Sequence, residues 1–161
     1  MHFIRILIVA CSLALPVAAL AQGAQIAFGN VKQDTTKPVE VTADNLAVNQ
    51  NDGTAVFTGN VLIGQGQMRL SAPKVQVYYN EKGDRIERMK ATGGVTLVSG
   101  EDAAEASQAD YSIDSGMIHM SGDVLLVQKT SAISADRMVV DTKAGTANMQ
   151  GRVKTVLQQS Q

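Results

Sequence analysis

One glycine-centred strand pattern recurs four times in this chain, and it narrows the fold more than any other feature. It reads FTGNVLI at 57–63, ATGGVTL at 91–97, MSGDVLL at 120–126 and MQGRVKT at 149–155. Its glycines, Gly59, Gly93, Gly122 and Gly151, stand 34, 29 and 29 residues apart. Glycine weakens a strand interior, so its return at one place in successive strands implies a shared bulge or bend.

A second pattern alternates with the first: apolar, Ser or Thr, two variable residues, one polar, apolar, any, apolar. It appears as VTADNLAV (41–48), LSAPKVQV (70–77), ASQADYSI (106–113) and ISADRMVV (133–140), with alanine weakening the first position of the third copy. A unit near 29 residues holding two strand segments implies a stacked β architecture. Turn residues separate the segments in NQNDG (49–53), NEKGD (80–84), IDSG (113–116) and DTKAG (141–145). A longer insertion at 80–88 accounts for the wider first spacing. GEDAAEASQAD (100–110) alone has helical character. The repeat runs through it and assigns it to loop and strand.

In the glycine-anchored strands one parity is apolar throughout: Phe57, Val61, Ile63; Met89, Ala91, Val95, Leu97; Ile118, Met120, Val124, Leu126; Met149, Val153. The other parity carries Asn60, Lys90, His119, Asp123 and Arg152. One face is therefore buried and one wet. In the second set Val39, Val41, Leu46, Val48, Val75, Val77, Tyr111, Ile113, Met138 and Val140 point inward. Two such faces opposed make a sandwich or jelly roll. The interior holds aliphatics and several Met, which adapt to irregular apolar partners. Periodicity does not separate a packed core from a trough for flexible chains.

Other chemistries leave no trace. Nucleophile elbow, P-loop, dinucleotide fingerprint and zinc spacing are all missing. The formal net charge of −1 gives no basic surface for nucleic acid. His119 lies on the outward parity, and Glu101, Asp102 and Glu105 read as a solvated loop. The expectation is a non-enzymatic protein with no catalytic residue, cofactor or metal.

Residues 1–21 have a basic Arg5, an apolar run and an Ala19-x-Ala21 end, the marks of a cleaved secretory signal peptide. Such a leader directs the chain for export from the cytoplasm. The only cysteine, Cys11, falls in this leader, so a core and not disulfides must stabilise the rest. The expected divisions are a flexible arm at 22–37, a β domain at 38–158 and a terminal stub at 159–161.

KPVEVTADNLAV, GTAVFTGNVLIGQGQMRLSAPKVQV, EASQADYSI and RVKTVLQQSQ resemble, in order, the LptA/OstA-type periplasmic lipopolysaccharide transport proteins. The likeness covers residues 37–158. It implies a twisted, open antiparallel β-jellyroll that shields the lipid A acyl chains of lipopolysaccharide between its two sheets. It also implies head-to-tail stacking by strand-edge pairing into a homo-oligomer. An LptC-like inner-membrane partner would deliver substrate, and an LptD-like outer-membrane partner would receive it. Lipid-lining positions carried across by motif are Thr35, Val39, Val41, Leu97, Tyr111 and Ile113. The inward Phe57, Val61 and Ile63 join them. Leu97 departs from the family in standing where an aromatic can occur. Two rival readings stay open: an LptC-like membrane-anchored protein of the same fold, and a structural or polysaccharide-active β-solenoid.

Overall fold

The computed structural model describes residues 25–29 and 36–157. The leader expected at 1–21, Thr35 and the stub at 159–161 lie outside the described residues. Among the described residues every regular element is a strand: β1 (Gln25–Ala27), β2 (Glu40–Thr42), β3 (Asn45–Asn49), β4 (Thr54–Gln65), β5 (Met68–Tyr79), β6 (Ile86–Ser99), β7 (Asp102–Ser112), β8 (Met117–Gln128), β9 (Ser131–Asp141), β10 (Thr146–Gln150) and β11 (Lys154–Leu157). They form one open antiparallel sheet in the order β1-β10-β9-β8-β7-β6-β5-β4-β2, with β3 also on β4 and β11 also on β9. From β4 to β10 each strand pairs with its chain neighbour, as tight turns between alternating strands dictate.

The recurring glycines mark a break in register. Pairing shifts between Thr58 and Val61, Thr92 and Val95, and Ser121 and Val124. At each break two successive residues have positive φ: Gly59 and Asn60, Gly93 and Gly94, Gly122 and Asp123, and again Gly151 and Arg152. Only glycine, with Asn and Asp behind it, enters that region at low cost, and this explains the composition of the first three copies; in the fourth, Arg152 takes the second position. Close approach adds a second constraint. A Cβ on Gly122 would stand 2.6 Å from Ser107 Cβ, and one on Gly59 would stand 2.9 Å from Asp44 Cβ.

The facing residue of the second pattern secures the bend. Asn60 Nδ2 donates to Asp44 Oδ2 at 2.9 Å, Arg152 Nε donates to Asp136 Oδ1 at 2.9 Å, and Ser107 Oγ donates to the Gly122 carbonyl at 3.2 Å. Aligned on the bend, Ser107 corresponds to Asp44, Pro73 and Asp136. The third copy therefore runs from Ala104 to Tyr111, two residues earlier than its sequence reads. A shift of two preserves the face, so the inward assignment of Tyr111 is unaffected.

These bends fold the sheet onto itself. The Tyr111 hydroxyl donates to Gln65 Oε1 at 2.7 Å. In a flat sheet Gln65 lies level with Asp102, nine residues from Tyr111 along the strand. That is about 30 Å at ~3.3 Å per residue. The bond forms because the two halves of each strand face each other across a shared interior. The bend is the spine of the fold, and the strand ends meet along a seam opposite it.

One expectation needs correction. The arm at 22–37 is not loose throughout. Gln25–Ala27 pairs with β10, and Phe28 beyond it is only 4% exposed. Burying a side chain of that size is worth about 1.5–3 kcal/mol, enough to hold a short strand on an edge. The assignment of 100–110 to loop and strand holds: β7 begins at Asp102, and its alanines Ala104, Ala106 and Ala109 fill narrow inward positions.

Candidate functional site

Inward residues of both layers form one apolar lining. Val61, Ile63, Leu70, Leu97 and Leu126 line one layer, and Val75, Val77, Met89, Ile118, Met120 and Met138 line the other, all buried. Among the expected contacts, Val61, Ile63, Leu97 and Tyr111 lie inside this lining, with Leu97 at 0% exposure. Phe57, Val39, Val41 and Ile113 are half-buried and pack against it. The fold thus brings eight of the nine expected positions to one interior, and Thr35 lies outside the described residues.

The lining ends in the open at both edges of the sheet. Leu46 and Val48 on β3 pair with Phe57 and Ala55, so they share the inner face. They were expected to be buried, yet they are 56% and 62% exposed. Val153, just before β11, was also expected inside and is 47% exposed. The cause is the same in each case: the last strand has a neighbour on one side only. The parity holds, and the cover is missing. Apolar inner surface therefore continues from the dry interior to solvent at each edge.

The interior is filled by side chains. Recesses of about 500 Å³ beside Gly59, Pro73 and Gly94, and about 540 Å³ beside Gly93, Ser107 and Gly122, follow the bend. Of the expected lipid contacts only Val61 borders them. They mark gaps left by glycine in the spine, and the lining is the better candidate. A chain entering between the layers has to displace side chains or part the layers.

The seam is polar. Gln65, Ser99 and Gln128 occupy the last inward position of β4, β6 and β8. Gln65 Nε2 donates to the Lys37 carbonyl at 3.0 Å while its Oε1 accepts from Tyr111. Gln128 Nε2 donates to the Ala27 carbonyl at 2.7 Å and to Asp102 Oδ2 at 2.9 Å. Asp102 also accepts from the Gly29 amide at 2.8 Å. It is a buttress of the seam, not part of a solvated loop. Burial pushes the Tyr111 phenol above its usual range. The sequence reading missed these groups, although their signal was present: each apolar parity ends on a polar residue.

The outward face holds charges in pairs. Arg88 Nε donates to Asp110 Oδ1 at 2.7 Å while its guanidinium lies 5.3 Å from the Tyr78 ring centroid. Arg85 meets Asp114 at 3.1 Å. Among the described residues no group of His, Cys, Asp and Glu could hold a metal, and no helix is long and apolar enough to cross a membrane.

A single open sheet, bent along a glycine spine around an aliphatic lining, defines a β-jellyroll with an apolar interior. Comparison with known proteins places that class. Residues 40–146 match the family model described as LptA/(LptD N-terminal domain) LPS transport protein, and the chain belongs to that family. It is 29% identical to the lipopolysaccharide export system protein LptA of Escherichia coli (strain K12), over 93% of this chain and 86% of that protein. A shorter stretch of 73 residues is 40% identical to the LPS-assembly protein LptD of Salmonella paratyphi A, covering 45% of this chain and 9% of that one. The crystal structure of LptH, the LptA-homologous periplasmic component from Pseudomonas aeruginosa, superposes with a TM-score of 0.70 at 18% identity, over 79% of this chain and 99% of that one. That last likeness speaks for the fold. Chain-order antiparallel pairing also excludes the parallel coil of a β-solenoid.

Proposed function

We propose that this protein carries lipopolysaccharide across the periplasm as a non-enzymatic bridge, holding its acyl chains between the two layers. One observation carries the reading: the apolar inner face runs through both layers and comes out to solvent at Leu46 and Val48 on one edge and beside Val153 at the other. Each buried CH₂ is worth ~0.8 kcal/mol, so a twelve-carbon chain costs about 9 kcal/mol to leave in water. Crossing an aqueous gap requires continuous apolar cover, and this lining supplies it. Val39, Val41 and Phe57 stand near the β2/β3 edge, where a chain enters first. Val61, Ile63, Leu97, Tyr111 and Ile113 lie along its path, and Thr35 is the ninth contact.

Unpaired edges at β2/β3 and at β11 suit head-to-tail pairing with a second copy or with like-folded partners. An LptC-like partner would feed one edge and an LptD-like partner would drain the other. Cleavage after Ala21 would release the protein into the periplasm. N-terminal sequencing of the secreted chain checks that step.

Photo-crosslinkers placed at Val41 and Phe57 in cells, with outward Leu62 as control, test the assignment. Lipopolysaccharide adducts at the first two and none at Leu62 are expected. Equal labelling at all three positions would overturn it.

A further inference from the structure

The seam raises a problem for a carrier of lipopolysaccharide. An amphiphile with its acyl chains between the layers must keep its saccharide in water. The spine is continuous backbone, so the saccharide can leave only along the seam or at an edge. Movement from one edge to the other requires the seam to be open along its length.

In this structure residues 25–29 and Lys37 lie against it. Ala27 is held by Gln128 of β8, and Gly29 by Asp102 of β7, where a Cβ on Gly29 would stand 3.2 Å from Ser99 Cβ of β6. Further on, Lys37 is held by Gln65 of β4, and the chain then enters β2 at the far edge. The anchors follow the strand order from one edge of the sheet to the other. Phe28, between the first two, is buried in the apolar cluster that the cargo would occupy.

Resting on the carrier reading, we infer that residues 25–29 are a strap that closes the seam, with Phe28 standing in for an acyl chain, and that the strap must lift before lipid passes. Its fastenings suit release. β1 has three residues, pairs with β10 alone, and holds the interior through Phe28 and the half-buried Ile26. The other anchors are the Phe28 amide on the Gly145 carbonyl, the Gln25 side-chain amide on Thr146 Oγ1, and single hydrogen bonds to seam side chains.

A reversible lock tests this. Phe28 N bonds to the Gly145 carbonyl, so Ala27 and Thr146 form the closely spaced, non-hydrogen-bonded kind of antiparallel pair. Ala27→Cys with Thr146→Cys in a Cys11→Ser background gives a chain with those two thiols only. Two probes are used: rough lipopolysaccharide, and the small apolar dye N-phenyl-1-naphthylamine, whose fluorescence rises in apolar surroundings. The oxidised variant is expected to lose saturable uptake of both, and reduction to restore it. Phe28→Ser, which needs no disulfide, is expected to raise dye uptake above that of the unmodified chain. Equal uptake before and after reduction, with no gain in Phe28→Ser, would overturn the strap and leave the carrier reading standing. Redox-controlled dye uptake without any lipopolysaccharide binding would keep the strap and overturn the carrier reading. Uptake of neither probe by the unmodified chain overturns both.

Discussion

At the scale of single residues, cover decides what an apolar side chain is worth here. Leu97 and Leu46 are both leucines on the inner face, one buried at 0% exposure and one at 56%. Leu97→Ala leaves a cavity in a dry interior and is expected to cost about 2–5 kcal/mol in urea unfolding. Leu46→Ala is expected to change stability by less than about 0.5 kcal/mol, because solvent already reaches the site. Tyr111 makes a different prediction. Burial raises its phenol pKa, so the folded state keeps the proton after the unfolded state has lost it. That contribution to stability is full below the unfolded pKa near ~10 and is lost as pH rises from there toward the folded value. Tyr111→Phe removes the bond to Gln65, costing about 1 kcal/mol at neutral pH. It is also expected to flatten the alkaline arm of a melting-temperature profile.

Among the elements, the long bent strands were readable and the short edge pieces were not. β4, β6 and β8 keep one parity through their glycine pair, so their inward faces could be read directly. β5, β7 and β9 change parity at the bend, from Leu70 to Val75, Ala104 to Ala109 and Ile133 to Met138. That five-residue step is the trace of the bulge, and it is legible once the bend is known. Leu46 and Val48 were placed on the correct face. Their exposure was hidden because burial depends on which strand comes last. β1 was missed since three residues carry no period; only Phe28 hinted at an anchor. The bend itself can be tested. Gly122→Ala meets Ser107 Cβ at 2.6 Å with φ near 84°, whereas Gly53→Ala meets nothing within 4 Å at φ 58°. Gly53→Ala is expected to cost about 1 kcal/mol of left-handed strain. Gly122→Ala adds a steric clash to that strain and is expected to cost roughly 3 kcal/mol or more, read by chemical denaturation.

For the molecule as a whole, strand order that follows chain order has its own consequence. Apart from the N-terminal segment, whose β1 pairs with β10 and whose β2 pairs with β4, each two-strand unit rests on the units beside it, as in a repeat protein. Length is then an adjustable quantity. Duplicating one unit, residues 93–121, should splice in two strands and extend the lining by about 10 Å at ~4.8 Å per strand, which small-angle scattering would register. A chain built this way works as a ruler laid across a gap, and its span can be reset by whole rungs without redesigning any rung.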